Sequence, residues 1–268
     1  MTSFGLSIIL PTINEAANLE VLIPSLYEAL SSYVDKLEVI VVDDGSTDNT
    51  REVLSVLSIK YQFVTGIFRS QAQKSLPQSI QAGIDSASGN LVAWMDADGS
   101  MSPSVLVELL QAWKNSEAPE KSVVVASRFV DGGRVKGAQR SGPFGLLQSA
   151  KNLKTTEDAF VAVFLSWGLN ECLYLLLGKC CRDLTSGFIL GPKQMLKKFR
   201  LRGVYGDYFA RLLYDIHKLE GVIIEIPYSI MSRESGRSKT GTTLLQVLKS
   251  GLPYVRLFAE PLKKRQNI

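Results

Sequence analysis

A chain of 268 residues, 46% hydrophobic and 21% charged, has enough apolar mass for one large core and too little charge to stay unfolded. Its net charge of +4 is too small to imply a nucleic-acid partner. A single histidine and three cysteines, Cys172, Cys180 and Cys181, exclude a histidine-rich zinc site and a disulfide framework, and point to reduced, packed thiols of a cytoplasmic protein.

The N-terminus runs from Thr2 and Ser3 straight into an apolar pattern, with no basic region or cleavage site, so no secretory signal is expected. Short apolar or β-branched runs at 6–10, 37–42, 62–68, 91–95 and 123–127 predict buried strands. Helical patterns alternate with them. Ala16–Leu30 carries Leu19, Leu22, Ile23 and Leu26 on one stripe; Asp48–Leu57 follows Ser46 and Thr47 as N-cap candidates; Ser75–Ser86 and Ser104–Trp113 continue the series. This β-α order with short connections predicts an α/β fold, its mostly parallel central sheet covered by helices on both faces.

After Arg128 the rhythm changes. Asp131–Gly145 is rich in Gly and basic residues and predicts a loop. Helices are expected over 151–178, 193–199 and 207–219, and strands over 183–190 and 222–226. Tyr228–Gly241 predicts a second loop. Thr243–Leu262 predicts an amphipathic helix kinked at Pro253 and ending in Lys263, Lys264 and Arg265. The most apolar stretch, 159–178, is broken by Asn170 and Glu171. A membrane-spanning helix needs about 20 apolar residues with few polar breaks, so this stretch and the basic tail suit helices at a membrane surface better than a transmembrane span. A dimer interface and a plain C-terminal packing helix are the alternatives.

Three strand-like runs end in acids. Pro11-Thr-Ile-Asn-Glu15 follows the first, Asp43-Asp-Gly-Ser-Thr-Asp48 the second and Asp96-Ala-Asp98 a later one. Ligands of open α/β sheets bind at the carboxyl ends of the strands, and no GxGxxG follows any strand, which argues against a dinucleotide site. An isolated Asp-x-Asp is more often a solvated turn. Three acidic loops on one sheet edge suit a nucleotide instead, with carboxylates accepting from base N–H and ribose hydroxyls. The Asp96 and Asp98 carboxylates can share one Mg²⁺ or Mn²⁺ that also holds a diphosphate.

The series Leu10-Pro-Thr-Ile-Asn-Glu15, Val41-Val-Asp-Asp-Gly-Ser-Thr-Asp48, Met95-Asp-Ala-Asp98 and Ser127-Arg-Phe129 resembles family 2 glycosyltransferases of the A-type fold. Asp183-Leu-Thr-Ser-Gly-Phe188, Glu225-Ile-Pro-Tyr228 and Arg233-Glu-Ser-Gly-Arg-Ser-Lys239 narrow the resemblance to the dolichyl- or polyprenyl-phosphate mannose synthase branch. The likeness covers about residues 6–241. It implies a catalytic domain over 1–241, with 131–180 holding a basic loop and apolar interface helices, and a basic amphipathic tail over 242–268.

That resemblance implies a role for each matching position. Pro11, Ile13 and Glu15 would line the base pocket, and Val42 and Asp44 would contact the nucleoside. Asp96 and Asp98 would bind the metal, with Ala97 touching nucleotide through its backbone and Ser100 adding an oxygen. Arg128, Arg233 and Lys239 would bind phosphates, joined by Arg237 on the acceptor side. The expected reaction is metal-dependent, inverting transfer of a hexose, foremost mannose from GDP-mannose, to polyprenyl or dolichyl phosphate at the cytosolic face of a membrane. A UDP-glucose donor and a non-catalytic nucleotide-sugar-binding subunit are the alternatives. Self-association stays open.

Each role has a plainer counterpart. Glu15, Asp43 and Ser46 can serve as helix caps, Asp183 as a turn acid and Arg128 as a surface ion-pair partner; Lys74 sits where a substrate contact is conceivable, with a helix-end charge as its plainer reading. The 233–239 run can be a solvated loop, and Phe160, Phe164, Trp167 and Tyr174 can be core residues.

Overall fold

The computed structural model describes residues 4–69, 74–134, 157–204 and 206–230. Seven strands form one sheet: β1 (Gly5–Thr12), β2 (Lys36–Asp43), β3 (Val64–Phe68), β4 (Leu91–Trp94), β5 (Ser122–Ser127), β6 (Ile189–Pro192) and β7 (Val222–Pro227). Their spatial order is β3-β2-β1-β4-β6-β5-β7. All neighbours run parallel except β6, which lies antiparallel between β4 and β5. Strands β4 and β5 are buried at every position, as expected where both sheet faces are covered.

The helices are α1 (Ala16–Leu30), α2 (Thr50–Lys60), α3 (Leu76–Ser86), α4 (Pro103–Lys114), α5 (Glu157–Leu176), the single turn α6 (Lys193–Leu196) and α7 (Asp207–Lys218). Successive strand side chains point to opposite faces, and the core divides accordingly. Ile8 and Leu10 join Leu19, Leu26, Leu54 and Leu106, from α1, α2 and α4. Ile9 joins Ile80, Ile84, Leu173, Phe209 and Leu213, from α3, α5 and α7. A Cβ on Gly83 would overlap the Ile9 side chain, so this glycine lets α3 lie directly on β1.

The first-half elements stand where the apolar runs place them. Four details differ. The segment 183–188 is a loop, and β6 starts at Ile189; its polar side chains bond nearby backbone, with Asp183 accepting from the Arg128 amide and Ser186 donating to the Ala126 carbonyl, instead of leaving a free ladder. Helix α6 ends after one turn, short of Phe199. Asn49, not Ser46 or Thr47, is the N-cap of α2, because Ser46 is spent on Asp43 and the Thr47 amide on Asn14. Cys172 is exposed, while Cys181 is buried. The expected tail helix over 243–262 and most of both expected loops lie outside the described residues. Among the described residues no helix is long and apolar enough to cross a membrane.

Candidate active site

Strands β2 and β3 extend the sheet to one side of β1, whereas β4 pairs with its other side. The connections therefore reverse direction between β1 and β4, where an open α/β sheet forms a crevice at its carboxyl edge. A cavity of about 270 Å³ occupies this place. Of the expected residues, Pro11, Ile13, Glu15, Asp44, Asp96, Ala97 and Asp98 line it. The structure adds Thr12, Lys74, Ser75, Leu76, Ser79 and Val204.

Side-chain bonds fix the loops after β1 and β2 to each other. Asn14, in the left-handed region at φ 55°, accepts from the Thr47 amide at 2.7 Å, and its own amide donates to the Ser46 hydroxyl at 2.8 Å. Asp43 accepts from the Ser46 amide at 3.0 Å, and the Glu15 amide donates to the Thr50 hydroxyl at 3.1 Å. Glu15 is the N-cap residue of α1 but makes no side-chain capping bond. Its carboxylate accepts from the Asn18 side chain at 2.6 Å, so the carboxylate stays at the cavity wall.

Asp44 is buried, and both its oxygens are engaged. Arg69 Nη1 lies 2.5 Å from Oδ1, and the Ser75 amide donates to Oδ2 at 2.6 Å. Arg69 also donates to the Ser79 hydroxyl at 2.8 Å and to Gln78 at 2.6 Å. The pair thus pins the start of α3 to the end of β2 and places Ser75, Ser79 and the exposed Lys74 at the cavity. Val42, expected at the nucleoside, is fully buried in the core and is not among the residues lining the cavity; its side chain packs toward the covering helices.

The Asp-x-Asp turn leaves the buried β4. Gly99, at φ 75°, tightens it, and the Ser100 amide donates to Asp98 Oδ1 at 3.0 Å. Asp96 and Asp98 both line the cavity, whereas Ser100 is buried and does not. Among the described residues no three His, Cys, Asp or Glu side chains gather as a metal cage. Two carboxylates from one turn nevertheless fit a hard divalent ion that keeps waters and takes further oxygens from a substrate diphosphate. Asp96 and Asp98 thus present carboxylates at the cavity, and the Ser100 amide holds Asp98.

Arg128, after β5, is not among the residues lining the cavity. It forms a two-pronged ion pair with the fully buried Asp183, Nε to Oδ2 at 2.8 Å and Nη2 to Oδ1 at 2.7 Å. The charge of Arg128 is thus matched within the fold, by a buried partner in the loop before β6 and not by a surface ion pair. Tyr228 stands beside this pair. Its ring meets Phe188 edge-on, with centroids 6.0 Å apart, and its buried hydroxyl has no well-formed hydrogen-bond partner among the described residues. Burial pushes this phenol up to about 12; the Arg128 charge and the nearby Ser186 hydroxyl oppose the shift, and the Asp183 and Asp96 carboxylates add to it. The same hydroxyl therefore feels the Asp-x-Asp turn and the Arg128–Asp183 pair. Arg233, Arg237 and Lys239 lie outside the described residues.

Lys74 and Val204 also line the cavity, and of the two only Val204 is hard to see in the sequence. Lys74 has a signal, a cation just before a proline-containing helix start. Val204 has none, because it reaches the cavity from the second half of the chain, in a loop held by the Val204 amide donating to Asp207 at 3.0 Å and the Leu201 amide to Gln81 at 3.0 Å.

Comparison with known proteins adds a family. The model of glycosyl transferase family 2 matches residues 7–172. A dolichol-phosphate mannosyltransferase from Pyrococcus furiosus is 28% identical over 246 residues, 91% of this chain and 61% of that protein. The chain thus spans less than two thirds of that relative's length. A polyprenol monophosphomannose synthase from Mycolicibacterium smegmatis is 26% identical over 238 residues, covering 87% of this chain and 79% of that protein. Among solved structures, glucosyl-3-phosphoglycerate synthase from Mycobacterium tuberculosis, in complex with Mn²⁺, UDP-glucose and phosphoglyceric acid, superimposes with a TM-score of 0.61 at 19% identity. It covers 87% of this chain and 73% of its own. That likeness is one of fold.

Proposed function

Because the chain belongs to glycosyl transferase family 2, we propose that it transfers a hexose from a nucleotide diphosphate sugar to a polyprenyl phosphate, with mannose from GDP-mannose as the foremost donor. The observation that carries this reading is the convergence of Asp96 and Asp98 with the Pro11–Glu15 loop and Lys74 in one cavity at the β1–β4 switch. The two relatives, a dolichol-phosphate mannosyltransferase and a polyprenol monophosphomannose synthase, support the acceptor.

In this reading the lipid phosphate oxygen attacks the anomeric carbon from the face opposite the diphosphate. The carbon–oxygen bond to the diphosphate breaks, and the configuration inverts. A divalent ion bound by Asp96 and Asp98 would supply positive charge to the leaving diphosphate. Glu15 and the Pro11–Ile13 backbone orient the nucleoside, and Lys74 offsets phosphate charge. A phosphomonoester has its second pKa near 6, so the acceptor is ionised at neutral pH and no side chain has to remove a proton. Arg233, Arg237 and Lys239 supply further cations to the acceptor phosphate, gripping it as guanidinium forks and an ammonium.

The acceptor's tail places the enzyme at a membrane surface as a peripheral protein. The exposed Leu175 and Leu176 at the end of α5 offer apolar contact there.

The test incubates the protein with Mg²⁺ or Mn²⁺, polyprenyl phosphate and radiolabelled GDP-mannose or UDP-glucose in parallel. Label is expected in the organic phase, and the donor that delivers it names the sugar. Absence of an organic-soluble product from every donor and metal, with membranes added, would overturn the lipid-acceptor reading. Release of free labelled sugar without lipid product would point to an acceptor of another kind.

A further inference from the structure

Val204 lines the cavity, and the reaction above leaves it without a task. Every other lining residue among those described lies at or before Asp98; Val204 reaches the cavity from the loop before α7. It is 73% exposed. A single exposed valine is ordinary on a protein surface. What distinguishes this one is how its loop is held at the cavity.

One set of anchors ties the loop to α3. The Leu201 amide donates to the Gln81 side chain at 3.0 Å, and Arg200 pairs with Asp85 at 2.9 Å. The first turn of the same helix carries Ser75, whose amide holds Asp44. A second set ties the loop to α7. The Val204 amide donates to Oδ1 of the buried Asp207 at 3.0 Å. Gly203 has φ 151°, and a Cβ there would fall 2.8 Å from Asp207 Oδ2, so a larger residue does not fit this turn without displacing the carboxylate. The next residue of α7, Tyr208, accepts at its hydroxyl from the Trp94 indole at 3.2 Å. Trp94 ends β4, two positions before Asp96. Val204 is therefore fixed between the helix that builds the Asp44 wall and the strand that ends in the Asp-x-Asp turn.

We propose that Val204 is a donor-binding residue: its methyl groups pack on the nucleoside of the donor, over the ribose and the adjoining face of the base. The inference rests on the nucleotide-sugar reading given above. In such a donor the base, ribose, diphosphate and sugar follow one another. In that reading Asp96 and Asp98 fix the diphosphate through a metal, and the Pro11–Glu15 loop with the Asp44 wall receives the base. The part of the donor between them is the ribose with the near face of the base, and Val204 is anchored between the same two walls. Pro11, Ile13 and Leu76 also line the cavity, and Val204 extends this apolar lining, as ligand pockets combine such a lining with a few polar groups. An aliphatic contact reads no hydrogen-bonding pattern, so it adds affinity for the nucleoside without choosing between bases.

The test is calorimetric binding of GDP and of UDP, each with Mg²⁺, to the full chain and to its Val204→Ala and Val204→Thr variants. These probes carry no sugar and need no acceptor. For whichever diphosphate the wild type binds, Val204→Ala is expected to lose about 10-fold in affinity, the low end for a hydrophobic contact with a ligand. The matching nucleotide sugar, GDP-mannose or UDP-glucose, is expected to lose the same factor. Val204→Thr keeps the shape but adds a hydroxyl, and a loss of about 3-fold is expected. Both variants should unfold at the wild-type temperature, because the side chain is mostly exposed. Unchanged diphosphate affinity in Val204→Ala would overturn the proposal. A loss confined to the nucleotide sugar would overturn it in favour of contact with the transferred sugar, and tighter binding by Val204→Thr would overturn the apolar contact. The expected losses in a protein that transfers no sugar to polyprenyl phosphate would leave this contact standing and defeat the proposed acceptor alone. A wild type that binds neither diphosphate would defeat both.

Discussion

Asp44, at the end of β2, and Arg69, just past the end of β3, face each other at 2.5 Å, and their contact decides where the third helix begins. Arg69 bonds the Ser75 carbonyl at 3.2 Å and the Ser79 hydroxyl at 2.8 Å, while Asp44 takes the Ser75 amide at 2.6 Å. The pair is thus structural for the cavity wall that carries Lys74.

Arg69→Ala is expected to destabilise the protein by about 3 kcal/mol, since breaking a buried pair leaves an unmatched carboxylate. It should also raise the donor KM as the start of α3 loosens. Thermal unfolding and donor titration measure the two effects. A stable variant with a normal KM would show that the α3 start needs no such anchor.

Asp98→Ala should reduce transfer by at least about 1000-fold, because both the proposed metal and its hold on the diphosphate depend on the carboxylate. The fold should survive with a cost of about 1 kcal/mol for the lost bond from the Ser100 amide. Ser100→Ala keeps that amide and should retain most activity. Loss of activity in Ser100→Ala comparable to that in Asp98→Ala would restore the Ser100 hydroxyl as a metal ligand.

Tyr228→Phe removes a buried hydroxyl that has no well-formed hydrogen-bond partner among the described residues and keeps the edge contact with Phe188. Stability near pH 7 should be unchanged or rise by up to about 1 kcal/mol. The wild-type phenol is pushed up to about 12 in the fold, above the unfolded value near 10. The folded state therefore keeps its proton while the unfolded state loses it. Stability is full below pH 10 and declines as pH rises toward 12. The variant should show a shallower decline in denaturant midpoints between pH 9 and 11, and identical slopes would contradict this environment for Tyr228.

The thiols should separate by reactivity. Cys172 is exposed. Burial pushes Cys180 up to about 11 and Cys181 well above the ordinary range, with the Glu225 charge adding to both, so neither forms much thiolate at neutral pH. A colorimetric disulfide reagent at pH 7.5 should titrate Cys172 fast in the native protein and all three thiols after denaturation. Rapid native labelling of Cys181 would show that this part of the core opens readily.

The first half of the fold was legible because its apolar runs and helical stripes agree with what buries them. Leu91–Met95 reads as a buried strand, and the strand runs Leu91–Trp94; Ala16–Leu30 reads as a helix and has those bounds. Acids at strand ends marked the cavity correctly for Glu15, Asp44, Asp96 and Asp98. The loop before β6 was less legible. Asp183–Phe188 has a strand-like flank, but its side chains bond the backbone around Arg128 and Ala126, partners that no local pattern reveals.

What the sequence determined by itself was the α/β architecture and the types of group at the sheet edge, since both follow from spacing within a few residues. Only the tertiary structure decided how those groups are engaged. Asp44 meets Arg69 across 25 positions, and Arg128 meets Asp183 across 55. Pairings of that range exist only once strands β1 to β7 have taken their places. The chain order supplies an arginine and several acids; the fold determines which carboxylates stand at the cavity and which one is committed to holding the arginine.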